Sequence, residues 1–409
     1  MKSTLSLLIV LFLGINSKVH SNGAFSKEPG IEYRSLNAEV SNNIYVLTKI
    51  RINGQNRLLR FIIDTGSTTT SISKQIADEL KLEIIEKDSA TDGYSYQEFG
   101  VVQLDLDIEG LHFNGIKADV LEGDLSGGGQ VCEIDGILGS NVLREHVWSF
   151  RRGEVGVQSK VDKEHLSGFS KYKMKLFFGG VPTLVAGFKG TRSTSMIDLG
   201  FNGNITIPES QLQYLWGKQE KTGKGQLIQT AFNNHSVSES KIVKVPEFDF
   251  GNPKEHKKEG DKASIQGVIV DVENEEHFAM LSIGAGILNS YEMIIDYPKE
   301  KLYVKKIEES KEHSILDTFG FVLSPETMSV VFIWNDSPAS QMGLNIGDKV
   351  EKLNDLNLSA SDFKMLSGCE RQAKISAILR QVNTVDIVVR NDRNEQVKGR
   401  LKKSALFKN

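Results

Sequence analysis

Phe61-Ile62-Ile63-Asp64-Thr65-Gly66-Ser67 reads as a buried strand that ends on a carboxylate. Three apolar residues in a row, two of them β-branched, favour an extended segment covered on both faces. The acid then meets a glycine that permits a tight turn, so it is aimed off the strand end, where hydroxyls and backbone amides can hold it. Alone, an Asp-Thr-Gly carries little weight, because an Asp also caps its own turn. Recurrence gives it weight. Ser195-Met196-Ile197-Asp198-Leu199-Gly200 is a second copy. Downstream, Gly136-Ile137-Leu138-Gly139-Ser140-Asn141-Val142-Leu143 is matched by Leu281-Ser282-Ile283-Gly284-Ala285-Gly286-Ile287-Leu288. A strand, turn and strand follow each, at Val147 to Val157 and Met293 to Val304. The Asp-to-Gly spacing is 75 residues in one half and 86 in the other, so the two halves share an order of elements with loops of different length.

The remaining sequence is mostly short Val-, Ile- and Phe-rich runs separated by Gly, Asn and Asp, a β-rich pattern. Helical spacing is confined to pieces such as Lys74 to Leu82 and Cys369 to Gln381. With 409 residues, 39% hydrophobic and 25% charged, the chain has the composition of two to four globular units. A formal charge of −4 is the wrong sign for nucleic-acid binding, and the basic tail from Lys398 to Lys408 reads as a solvated domain edge.

Lys2, the apolar Leu5 to Ile15 and Val19-His20-Ser21 read as an export signal over residues 1–21, with the mature chain starting near Asn22 in the periplasm or medium. No other segment is long and apolar enough for a transmembrane helix, so the mature chain is expected to be soluble. Cys132 and Cys369 fall in different predicted domains and read as two buried free thiols. His146, His165, His235 and His277 lack metal-ligand spacing, and Gly127-Gly128-Gly129 lacks the Lys and Ser or Thr of a phosphate loop. Neither metal nor other cofactor is expected.

The two Asp-x-Gly loops, with their paired downstream elements, resemble the pepsin and retropepsin class of aspartic peptidases over about Asn43 to Lys305. The resemblance implies a mainly β fold: two closed lobes, residues 22–160 and 161–307, meeting on a pseudo-twofold axis. It implies Asp64 and Asp198 as the catalytic pair, Thr65 lending its hydroxyl to the facing loop, Gly66 and Gly200 making the turns, and Ser67 hydrogen-bonding Asp64. Leu199 replaces the usual Thr of the second loop and Phe201 the usual hydroxyl residue, with Asn202 a partial substitute. A flap hairpin would fall near Asp92 to Tyr96, with Tyr94 or Tyr96 as its aromatic.

Beyond a linker at residues 308–316, Thr318-Phe319-Gly320-Phe321, Ser337-Pro338-Ala339, Gly343-Leu344 and Gly347-Asp348 resemble a PDZ domain over residues 317–403, with Thr384 to Val389 as its last strand. This implies a groove in which Phe319, Gly320 and Phe321 receive the C-terminus of a peptide or protein. The implied activity is endopeptidase cleavage of an extended polypeptide. A peptide receptor that has lost catalysis, and a homodimer pairing two copies of Asp64, are the alternatives. The oligomeric state stays open.

Overall fold

The computed structural model describes residues 32–91, 96–122, 125, 131–151, 153–188, 191–225, 239–251, 264–273, 280–307 and 317–407. The expected export signal, the glycine run at 127–129, Tyr94, the charged stretch from Pro253 to Lys262 and the linker at 308–316 lie outside the described residues. Among the described residues no helix is long and apolar enough to cross a membrane.

The chain is mainly β. An eight-stranded sheet takes its strands from the first half and a ten-stranded sheet mostly from the second. The repeat is visible in their pairing. Leu59–Ile63 lies parallel to Gly136–Leu138, which also pairs antiparallel with Thr70–Ser73. In the second half Thr191–Asp198 lies parallel to Leu281–Gly284, which pairs antiparallel with Ile205–Pro208. Each acid-bearing strand is thus flanked by the strand of the downstream apolar-Gly element. Apolar residues at both faces are what such a central position demands: Phe61, Ile63, Leu138, Ile197 and Ile283 are all buried.

A six-stranded sheet joins the halves. Its centre is the antiparallel pairing of Val147–Arg151 with Tyr291–Asp296, the two strands that follow the apolar-Gly elements, with Trp148 opposite Ile295 and Phe150 opposite Met293. Trp148 is fully buried, and its indole N–H donates to the carbonyl of Leu143 at 2.8 Å. One hydrophobic cluster runs from Leu36 to Val304 through both halves.

The C-terminal residues form a four-stranded sheet, the helix Gly368–Gln381 and a separate cluster from Phe319 to Leu401. The strand Val330–Trp334 pairs with Phe321–Leu323 on one side and with Gln219–Gly225 of the second half on the other, so the ten-stranded sheet continues into this module. Thr384–Arg390 is followed by a further strand, Gln396–Lys402. As expected of a solvated edge, Gln396–Lys402 is the outermost strand of the four-stranded sheet, with Lys398, Arg400 and Lys402 exposed; Leu401 is buried in the module, and beyond it Leu406 and Phe407 pack with Ile242, Ile269, Phe332 and Trp334 between module and second half.

The free-thiol expectation is overturned. Cys132 and Cys369 form a disulfide, their Cα atoms 5.5 Å apart across 237 residues. Reading the two cysteines as free because they lie far apart along the chain took distance in sequence for distance in space. The module folds back on the first half and brings its helix terminus to Cys132.

Candidate active site

Asp64 and Asp198 emerge from the ends of their strands onto loops that face one another. Each loop holds its own acid in the same way. Asp64 Oδ1 accepts from the N–H groups of Gly66 at 2.8 Å and Ser67 at 3.0 Å. Asp198 Oδ1 accepts from Gly200 at 2.9 Å and Phe201 at 3.1 Å. Both acids are half-buried and keep some exposed surface.

The glycines decide how close the loops can come. A Cβ on Gly66 would stand 2.7 Å from Asp198 Cγ, and one on Gly200 would stand 2.3 Å from Asp64 Cγ. Each glycine is the bare surface on which the opposite carboxyl rests, a requirement for close approach that no other residue meets.

Thr65, fully buried, links the loops. Its hydroxyl donates to the carbonyl of Ile197 at 2.7 Å and accepts from the N–H of Leu199 at 3.0 Å. Leu199, also fully buried, offers no reciprocal hydroxyl and packs into the common core. Phe201 lies against Gly203 and Gly284, where added Cβ atoms would come within 2.2 and 2.4 Å of its ring. The larger side chain of the second loop is matched by missing ones nearby. Asn202 receives, at its carbonyl, the side-chain amide of Asn43 from the first half.

Ser67 hydrogen-bonds Asp64, as expected, but through its backbone N–H, while its hydroxyl donates to the carbonyl of Thr69 at 2.7 Å. The turn has already met the carboxylate with amides, which leaves the hydroxyl to brace the next residues.

Burial in the loop junction raises the carboxyls of both Asp64 and Asp198 above the ordinary carboxylate range. Asp198 is raised the more, because the charge of Asp64 adds to its burial. Two acids in one site cannot both ionise freely, so the pair retains a proton and titrates as a unit.

Two buried neighbours escaped the sequence reading. Tyr297, contributed by the second half, is buried beside Ser140 and close enough to feel the charge of Asp64; burial, and then that charge, push its phenol up. The hydroxyl of Ser140 in turn donates to the carbonyl of Thr65 at 3.4 Å. Asp119 accepts from Thr69 Oγ1, and burial pushes its carboxyl up to about 6. In the alternation of Leu111–Leu121 Asp119 takes the polar register, between the buried Ala118 and Val120, so its burial left no signal in the sequence. Tyr297 left none either.

Residues 48–142 match a family model described as aspartyl protease. The matched span contains the Asp64 loop and the Gly136–Leu138 strand beside it. This supports peptidase chemistry at the site. No curated protein matches the chain.

Of the remaining predicted residues, Tyr96 opens the strand Tyr96–Ile108, which pairs with Glu86–Thr91, the outermost strand of the eight-stranded sheet that carries Asp64. In the module Phe319 and Phe321 are buried in its core, and Gly320 has φ +92° with its position closed to any Cβ by Ser337, 2.1 Å away. The N–H of Gly320 donates to Thr318 Oγ1 at 2.9 Å, so that amide is already engaged.

Proposed function

We propose that the protein is an exported aspartic endopeptidase with two pepsin-like lobes, cleaving an extended polypeptide by a water held between Asp64 and Asp198. One observation carries the reading: two loops hold their carboxyls by matching pairs of N–H bonds and press them together over reciprocal glycines. Ionised Asp64 takes a proton from the water as its oxygen attacks the peptide carbonyl. Protonated Asp198 donates to the developing oxyanion. Collapse breaks the C–N bond, the nitrogen leaves with a proton from the pair, and the water's oxygen stays in the new carboxyl. Asp198 of the same chain beside Asp64 supports an intramolecular pair over a pairing of two Asp64 copies.

The C-terminal module is read as a PDZ-type domain that takes a peptide or protein C-terminus. Phe321–Leu323 is the end strand of its sheet, and the Trp334 N–H to Gly320 carbonyl bond of 2.9 Å sets the alternation. By that alternation the N–H and C=O of Phe321 point away from Val330–Trp334, towards an added strand.

The test is cleavage of an unbiased peptide library from acidic to neutral pH. Wild type is expected to give a bell-shaped kcat/KM profile, both limits belonging to the pair. Asp64→Asn and Asp198→Asn each remove nearly all turnover, and a statine-type analogue binds wild type far more tightly than either variant. Peptide binding without turnover at any pH, unaffected by both substitutions, would instead identify a receptor.

A further inference from the structure

The disulfide closes a mechanical ring. The six-stranded sheet connects first half to second, and the ten-stranded sheet with the Ile242, Ile269, Phe332, Trp334, Leu406 and Phe407 cluster connects second half to module. Cys132–Cys369 then returns from the module to the first half.

The return point is close to the Asp64 strand. Cys132 precedes Gly136–Leu138, the parallel partner of Phe61–Ile63, by four residues. The intervening segment lies along that strand: Arg60 donates through its guanidinium to the carbonyls of Cys132 at 3.5 Å and Glu133 at 3.1 Å. The backbone N–H of Arg60 donates to the Asp135 carboxylate at 2.8 Å. At the other end Cys369 sits in the first turn of Gly368–Gln381, whose N-terminus is fixed by a capping box of Ser367 and Glu370. Two residues on, Arg371 donates to the carbonyl of Glu326 at 3.3 Å, just beyond the end strand Phe321–Leu323. The bond therefore joins the helix of the module to the base of the strand pair that delivers Asp64. Both cysteines are partly exposed, within reach of a reductant.

We propose that Cys132–Cys369 is a redox-operated brace: intact, it holds the Asp64 strand pair in register with the module and keeps the candidate site ordered, and reduction by a dithiol loosens both. In the reducing step one thiolate of the dithiol attacks a sulfur of the bond, the other cysteine leaves as thiolate, and the second thiol resolves the mixed disulfide. Two electrons and two protons pass to Cys132 and Cys369, and the reductant closes to its own disulfide. The brace stands on geometry alone; only its effect on turnover rests on the peptidase reading.

The experiment compares full-length oxidised protein, the same protein with dithiothreitol, and Cys132→Ser/Cys369→Ser, by amide hydrogen exchange and by peptide cleavage. Reduction is expected to speed exchange about tenfold over residues 59–64 and 131–143 and at the start of the 368–381 helix, while residues 291–306 stay unchanged. The double variant matches the reduced protein and ignores dithiothreitol. Cleavage falls several-fold with reduction and returns on reoxidation by oxidised glutathione. Two titratable thiols in protein purified without reductant, or exchange over 131–143 that ignores reduction, overturns the brace. So does exchange that responds while cleavage is equal in both states, since the bond then has no hold on the site. If exchange responds and neither state cleaves any peptide at any pH, the brace stands and the peptidase reading fails.

Discussion

Thr65 carries a buried side-chain link between the two acid loops. Its hydroxyl donates to the carbonyl of Ile197 and accepts from the N–H of Leu199 in the buried junction, and a buried polar group that loses its partner costs about 1–3 kcal/mol. Thr65→Val should therefore lower the unfolding free energy by several kcal/mol and cut turnover, whereas Thr65→Ser, which keeps the hydroxyl, should remain near wild type; denaturant melts of the three proteins read this directly. Buried acids give a second residue-level effect. Burial pushes Asp271 from 3.8 up to about 7, and Asp119 up to about 6. Raised acids bind protons better folded than unfolded, so their stability contribution is fully present below about pH 4 and is lost as pH rises through 6 to 7. The thermal midpoint should fall from pH 4 to pH 7. Asp271→Asn should flatten that slope, adding about 2 kcal/mol at pH 7 and nothing at pH 4. That is about half the full linkage value, because Asp271 keeps some solvent contact. An unchanged slope in the variant would remove Asp271 as the cause.

Strand order, rather than any one side chain, brings the acids together. Both acid strands end beside the strand of an apolar-Gly element, and Gly139 and Gly284 seat these elements against the acid loops. A Cβ on Gly139 would come within 2.2 Å of the carbonyl of Thr69, and one on Gly284 within 2.4 Å of that of Gly203. Gly200→Ala should push the Asp64 carboxyl out of place by most of an ångström and lower kcat/KM on the order of 100-fold, with the far-ultraviolet dichroism unchanged. Retention of wild-type kcat/KM would mean that the loops are not in contact in solution. These elements were legible in the sequence because they are local: a buried strand, a glycine and an acid are adjacent residues, and their recurrence in order survives changes in loop length. The α-helices Lys74–Glu79 and Gly368–Gln381, the longest among the described residues, match their expected positions to within a few residues for the same reason. The bond from the Ser67 hydroxyl to Thr69 was not legible, since amide and hydroxyl compete for one carboxylate and only the turn's dihedral angles decide between them.

At the scale of the molecule, the C-terminal module completes the second half. Val330–Trp334 covers the edge strand Gln219–Gly225, and the module with its tail covers Ile242 and Ile269. A chain ending before residue 317 should expose an unpaired strand edge beside an apolar patch and associate with rising concentration, as light scattering would record. A truncated protein that stays monomeric with the full-length melting temperature would show that the module is an independent appendage. The sequence by itself determined the β class, the repeat, both acids and the glycines they need, because each is written in residues a few positions apart. Tertiary structure alone decided the rest. The Cys132–Cys369 bond, the burial of Leu406 and Phe407, and the approach of Tyr297 to Asp64 each join residues or surfaces more than a hundred positions apart. Such contacts arise from how whole sheets pack, and neither periodicity nor spacing along a single chain records which distant surfaces will meet.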